Sequence, residues 1–109
     1  MVDGIRWVTR DRNGNAIYLS EERWYHIIDP ENHPDMFDRE DELRQTVQQG
    51  RRRQDTINPH KYSYTMAFNS LDEDNTHIVA IVLFRFRENE DGRPVPNNYI
   101  VTAYQKELR

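Results

Sequence analysis

Two short segments, one near each end of the chain, carry side chains suited to moving protons and steadying an anion. The first runs from Arg23-Trp24-Tyr25-His26 to His33-Pro34-Asp35, and the second is Tyr99-Ile100-Val101-Thr102-Ala103-Tyr104. Histidine suits proton transfer, because its unperturbed pKa of about 6.5 lets it give and take a proton near neutrality. Arginine suits a phosphate, since its planar fork donates two parallel hydrogen bonds. Threonine and tyrosine hydroxyls can donate to a non-bridging oxygen or hold a substrate. Arg23, His26, His33, Thr102 and Tyr104 together fit a metal-free phosphoryl chemistry. One group takes the proton of an attacking hydroxyl, a second protonates the leaving oxygen, and cations stabilise the phosphorane between them. RNA carries such a hydroxyl internally, at the ribose 2′ position. His26 is expected as the general base or acid, Arg23 as the phosphate ligand and His33 as a second proton carrier or substrate contact. Arg23 and His26 are expected over the strand that bears Thr102.

Each residue also has a purely structural reading. His26 fits a core-edge histidine bonded to a backbone carbonyl, and His33-Pro34 fits a loop that shapes the start of a helix. Arg23 fits a surface ion pair with Glu22 or Glu31, which is worth little. Thr102 and Tyr104 stand two apart and so share a strand face, where Tyr104 fits a half-buried sheet residue. Arg85 and Arg87 share a strand face in the same way. If that face meets the helices, Arg85 is a costly charge unless it is paired or used, which makes it a reserve phosphate ligand. Arg51, Arg52 and Arg53 form a solvated strand end, with Arg51 and Arg53 as further phosphate contacts. Trp7 and Trp24 are expected in the core.

Other chemistries lack their residues. The four histidines, His26, His33, His60 and His77, include no i, i+4 pair on a helix and no H-E-x-x-H motif, so no metal site is expected. Four scattered glycines make no phosphate-binding loop, no serine nucleophile elbow occurs, and no cofactor is implied. The chain has no cysteine, which excludes disulfides, thiolate zinc sites and cysteine nucleophiles and favours a cytoplasmic setting. The start, Met-Val-Asp-Gly, shows no secretory pattern. The longest apolar run, Ile78 to Phe84, is far too short to cross a bilayer. Net charge is −4, which counts against a nucleic-acid partner overall. The distribution softens that objection, because acids gather at Asp35–Glu42 and Asp72–Asp74 while Arg51–Arg53 and Arg85/Arg87 gather positive charge.

These residues need a scaffold. A chain of 109 residues is expected to form one domain over residues 1–109, burying roughly 65% of the surface its unfolded chain exposes. Charged residues are 31% of the chain, but twelve aromatics argue for a packed core. Ile5–Leu19 reads as a β-hairpin with Asn13-Gly14 as its two-residue turn. Ser20 then caps a helix with acids in its first turn, running to about Asp29 and stopping before Pro30. Arg23 and His26 share a face beside its apolar stripe of Trp24, Ile27 and Ile28. A second helix is expected from Pro34 or Asp35 to Gln49, with Gly50 as its stop. The period then changes to two. Strands are expected at Arg51–Ile57, Lys61–Asn69, His77–Arg87 and Asn98–Gln105, joined by turns at Asn58-Pro59, Asp72–Asn75 and Glu88–Pro96. The apolar third strand would lie centrally, covered on both faces. The expected fold class is α+β: an N-terminal β-hairpin and two helices packed on a four-stranded antiparallel sheet.

The pattern Glu22-Arg23-Trp24-Tyr25-His26-Ile27, then His33-Pro34-Asp35, then Ile100-Val101-Thr102-Ala103-Tyr104, resembles the phage-associated branch of the barnase–EndoU–colicin–RelE-like (BECR) nuclease superfamily. The resemblance spans the second arm of the hairpin to the last strand. It implies a metal-independent endoribonuclease that leaves a 2′,3′-cyclic phosphate, often as a toxin in toxin–antitoxin or phage conflict systems. It matches Arg23 and His26 to the helix pair, His33, Pro34 and Asp35 to the loop motif, and Thr102 and Tyr104 to the final-strand pair. Asp35 stands where the family often has Glu, and Arg51–Arg53 fill a region where a proline commonly precedes the first strand. The implied partners are RNA, tRNA included, and a cognate antitoxin or immunity protein, with no membrane. The rival expectation is a non-catalytic interaction, immunity or regulatory domain of the same fold, docking a basic protein through Asp35–Glu42 and Asp72–Asp74.

Overall fold

The computed structural model describes residues 4–108. The N-terminal hairpin pairs β1 (Ile5–Arg10) with β2 (Ala16–Ser20). Its turn is wider than Asn13-Gly14 alone. Gly14 N–H donates to the Asp11 carbonyl, and Asp11 N–H to the Asn15 carbonyl, so three residues bridge the ends. Gly14 takes the left-handed conformation that closes such a turn, with φ +80°. Asp11 builds the inside of the loop, accepting from Asn13 N–H, Asn15 N–H and Asn15 Nδ2.

Helix α1 (Glu21–Ile27) starts where Ser20 Oγ accepts the Arg23 N–H, with Glu21 and Glu22 in its first turn. It ends two residues earlier than the sequence suggests. The chain then turns so that His33 N–H donates to the Ile27 carbonyl. The expected second helix divides into a 3-10 turn at Pro34–Met36 and helix α2 (Glu40–Gln49). Pro34 can open a helical turn, but Met36 is fully buried and anchors this segment to the core before α2 begins.

The remaining strands are β3 (Arg51–Gln54), β4 (Lys61–Ala67), β5 (His77–Leu83), β6 (Phe86–Glu88), β7 (Pro94–Pro96) and β8 (Asn98–Lys106). The sheet corrects the four-stranded antiparallel expectation. It is six-stranded and mixed, in the order β1-β2-β8-β5-β4-β3, with a separate β6–β7 hairpin. The antiparallel meander β3-β4-β5-β8 is present, but β2 adds the N-terminal hairpin to it through a short parallel pairing of Ile17 and Tyr18 with Asn98 and Tyr99. The predicted third strand also breaks. β5 stops at Leu83, and Arg85 and Arg87 fall in or beside the β6–β7 arm, exposed to solvent. Arg85 therefore never faces the helices, and its backbone carbonyl accepts the Asn97 N–H at the foot of the arm.

Both helices cover one face of the sheet. Ile17, Leu19, Trp24, Ile27, Leu43, Val47, Tyr64, Ile78, Ala80, Val82 and Ile100 meet there, most of them fully buried. The alternate residues of β5 face the other side, so this strand is central but not covered on both faces: Ile81 and Leu83 remain half-buried. Glu40, the first residue of α2, ties the layers together. It accepts from the Arg6 guanidinium and from Trp7 Nε1 (2.8 Å), while Arg6 also reaches Glu21 on α1 (2.9 Å). These contacts, Arg6 first, hold the Glu40 carboxyl below the usual carboxylate range. Tyr64 donates to Asp11 at 2.5 Å beneath the hairpin turn. Burial pushes the Tyr64 hydroxyl up, and its bond to Asp11 adds to the shift.

Candidate functional site

The uncovered face of the sheet carries cations, hydroxyls and an imidazole in register. Strand pairing aligns its side chains in rows that can be followed across the strands. Arg51, Thr65, Val79 and Tyr104 are successive partners on β3, β4, β5 and β8. Arg53, Ser63, Ile81 and Thr102 form the next row, and Ala67, His77 and Lys106 the row on the other side. At about 4.8 Å between strands, the first row spans about 14 Å, with Arg51 at one edge and an aromatic hydroxyl at the other. A groove of about 820 Å³ lies over it, lined among others by Arg51, Arg53, Thr65, His77, Tyr104 and Lys106. A smaller neighbouring hollow continues past Arg53, Ser63, Ile81 and Tyr104 toward Lys61. Asp55 also borders this hollow, but its carboxylate is engaged by the Ile57 and Asn58 N–H groups of its own loop.

The edge of β8 positions the aromatic end. Beyond Tyr99 that strand has no strand partner on the β2 side among the described residues, and α1 and the loop after it lie there instead. The turn after α1 therefore brings His33 against Tyr104 at this edge. Its imidazole stacks on the Tyr104 ring with centroids 5.5 Å apart. The pairing fixes which arginines contribute. Arg51 and Arg53 share the groove's face of the sheet, and Arg52 also borders it. Arg52 is one residue out of phase, however, and its guanidinium stacks over Tyr62 (4.6 Å) and Phe84 (5.8 Å) and comes within 4.0 Å of Asp11. Among the described residues, no ion pair involves Arg51, Arg53 or Lys106.

Of the residues singled out in the sequence, Tyr104, Arg51 and Arg53 line the groove. Thr102 shares that face of the sheet in the row of Arg53, and His33 touches Tyr104 at its edge, but neither of these two lines the groove. Arg23 and His26 sit on α1, which packs beside β8. His26 is exposed, Arg23 is half-buried, and neither side chain has a hydrogen bond, ion pair or ring contact among the described residues. Neither lines the groove. Arg85 lies outside it, at the foot of the β6–β7 arm. Two groove residues escape a reading of sequence alone. His77 opens β5 with a Thr76 hydroxyl 2.6 Å from its Nδ1, and Lys106 stands directly opposite it on β8. The register that brings them beside Tyr104 exists only once β5 and β8 are paired. Among the described residues, no group of three or more His, Asp or Glu is placed to hold a metal ion, and no helix is long and apolar enough to cross a membrane. Compared with family models, with curated proteins and with solved structures, the chain finds no match.

Proposed function

We propose that this protein is a metal-independent endoribonuclease that takes single-stranded RNA along the open face of its sheet. One observation carries the reading: the His33–Tyr104 stack stands at the edge of a groove whose cations Arg51, Arg53 and Lys106 lack carboxylate partners among the described residues. Unpaired cations concentrated on one face of a chain with net charge −4 are free to neutralise a phosphate backbone. Aromatic rings beside such a track give bases a surface to stack on. In this reading His33 takes the proton of the ribose 2′-hydroxyl as that oxygen attacks phosphorus. The bond to the 5′-oxygen breaks, a second donor protonates that oxygen, and a 2′,3′-cyclic phosphate remains. Thr102 and Tyr104 offer hydroxyls to the phosphate, and Arg51 and Arg53 hold the strand. The resemblance to BECR nucleases supports the same chemistry and a role as a toxin in a toxin–antitoxin or phage conflict system.

The rival, a docking domain for a basic partner, draws less support. Its acidic runs are partly engaged inside the molecule: Glu40 with Arg6 and Trp7, and Glu42 and Asp72 with Arg39. Incubation with total RNA and tRNA in EDTA, beside three variants, tests the proposal. Tyr104→Phe and His33→Ala are expected to slow cleavage by about a hundredfold or more. His26→Ala measures whether the exposed helix histidine supplies the second proton. Full cleavage by both groove variants would remove the site from this face.

A further inference from the structure

We propose that Arg51, His77 and Lys106 form a phosphodiester-anchoring subsite at one end of the groove, in which Thr76 fixes His77 as an Nε2–H donor. The subsite rests on the ribonuclease reading for its biological ligand, but not for its chemistry. His77 and Lys106 are paired across β5 and β8 on the open face, and Arg51 lies in the adjacent row. All three line the groove. None of the ion pairs among the described residues involves Arg51 or Lys106.

The Thr76 hydroxyl decides what His77 can offer. Thr76 Oγ1 accepts the Leu108 N–H at 3.0 Å and lies 2.6 Å from His77 Nδ1. Its single proton has three acceptors in reach: Nδ1 at 2.6 Å, the Leu108 carbonyl at 3.3 Å and the Lys106 carbonyl at 3.5 Å. The Lys106 carbonyl already receives the Thr76 backbone N–H at 3.0 Å. The proposed arrangement for neutral imidazole is the one in which Oγ1 donates to Nδ1, which leaves the ring proton on Nε2. The 2.6 Å contact itself fits either direction, and the tautomer is what the experiment reads. With imidazolium, Nδ1–H donates to Oγ1 and the hydroxyl proton swings to a backbone carbonyl. In that arrangement Nε2 carries a proton in both states. His77 thus presents a constant donor rather than a base, the property required to hold a non-bridging phosphate oxygen. Thr76 is the positioning residue, and the donor at Nε2 is complemented by the charges of Arg51 and Lys106.

The test uses the full chain, labelled with nitrogen-15 at histidine, and a short single-stranded oligodeoxynucleotide, which has no 2′-hydroxyl and cannot be cleaved. Long-range proton–nitrogen correlation at neutral pH is expected to show neutral His77 as the Nε2–H form. Thr76→Val should lower the share of that form toward the mixture of a free histidine side chain, and Thr76→Ser should keep it at the parent's level. Adding the oligodeoxynucleotide should shift the His77 Nε2 resonance, and His77→Ala should weaken its binding by about tenfold. Inorganic phosphate forms a second arm. A shift with the oligonucleotide but not with phosphate alone identifies a site for a backbone, and equal responses identify a site for a free phosphate, against the proposal. An Nδ1–H form, or binding unchanged in His77→Ala with the fold intact by circular dichroism, also overturns it. Binding without any cleavage of RNA would leave the subsite standing and remove the ribonuclease reading instead.

Discussion

Asp11 shows how single residues tie this fold to pH. Burial alone would push its carboxyl up, but hydrogen bonds from the Tyr64 hydroxyl, Asn15 and Asn13 outweigh burial and hold it below the usual range. Glu40 is lowered too, by Arg6 first and then by Trp7, against a cost of burial. A carboxyl with a lowered folded pKa binds fewer protons in the native state than in the unfolded chain. Its stabilisation is complete above the unfolded value of about 4 and disappears as pH falls through the lower folded value. Urea midpoints should therefore stay level from pH 7 to about pH 5 and drop steeply below about pH 4. Asp11→Asn should lower the midpoint at pH 7 and flatten the acid limb. A limb as steep in the variant as in the parent would place the acid sensitivity elsewhere. At the same scale, the groove arginines were legible only in part. Arg51, Arg52 and Arg53 form one charge run in the sequence, and strand alternation divides them between the groove and a stack on Tyr62 and Phe84.

The elements were legible where their signals are local. The Ser20 cap, the acids of the first turn and the period-two alternation of β4 all appear in the chain where the structure has them. The parallel contact between β2 and β8 was not legible. It involves only Ile17, Tyr18, Asn98 and Tyr99, segments far apart in sequence, and nothing in a five-residue strand announces its second neighbour. The uniform apolar run of β5 was misleading for another reason. Ile78, Ala80 and Val82 pack under the helices, while Val79 and Ile81 floor a groove, and both environments favour apolar side chains. His77 went unread because its partners are set by register alone. Gly50 is where two elements meet most tightly. A Cβ there would collide with the Thr46 carbonyl oxygen and stand 3.0 Å from that of Thr65, pressing the end of α2 into β4. Gly50→Ala should destabilise the fold by about 1–3 kcal/mol, read as a lower urea midpoint with unchanged slope. A neutral substitution would mean that the α2–β3 junction gives way without cost.

At the scale of the whole molecule, the two faces of the sheet divide the work. One packs on the helices and holds the fold, and the other keeps charge and hydroxyls uncovered on a chain that is acidic overall. On the proposed ribonuclease reading, binding through that face displaces cations from the nucleic acid, so affinity for single-stranded RNA should fall steeply as salt rises, with a slope reduced by about one when Arg53 is replaced by Ala. Salt-independent binding would point to a partner held by apolar contacts. Metal-free attack by a ribose 2′-hydroxyl is tested most directly with an oligodeoxynucleotide carrying a single ribonucleotide, incubated with the protein in EDTA and analysed by mass spectrometry. Ribonuclease action on the open face predicts one cut, after the ribonucleotide, with a 2′,3′-cyclic phosphate on the upstream fragment and cutting slowed by about a hundredfold or more with Tyr104→Phe. An intact strand, or equal cutting of an all-deoxy control, would contradict it.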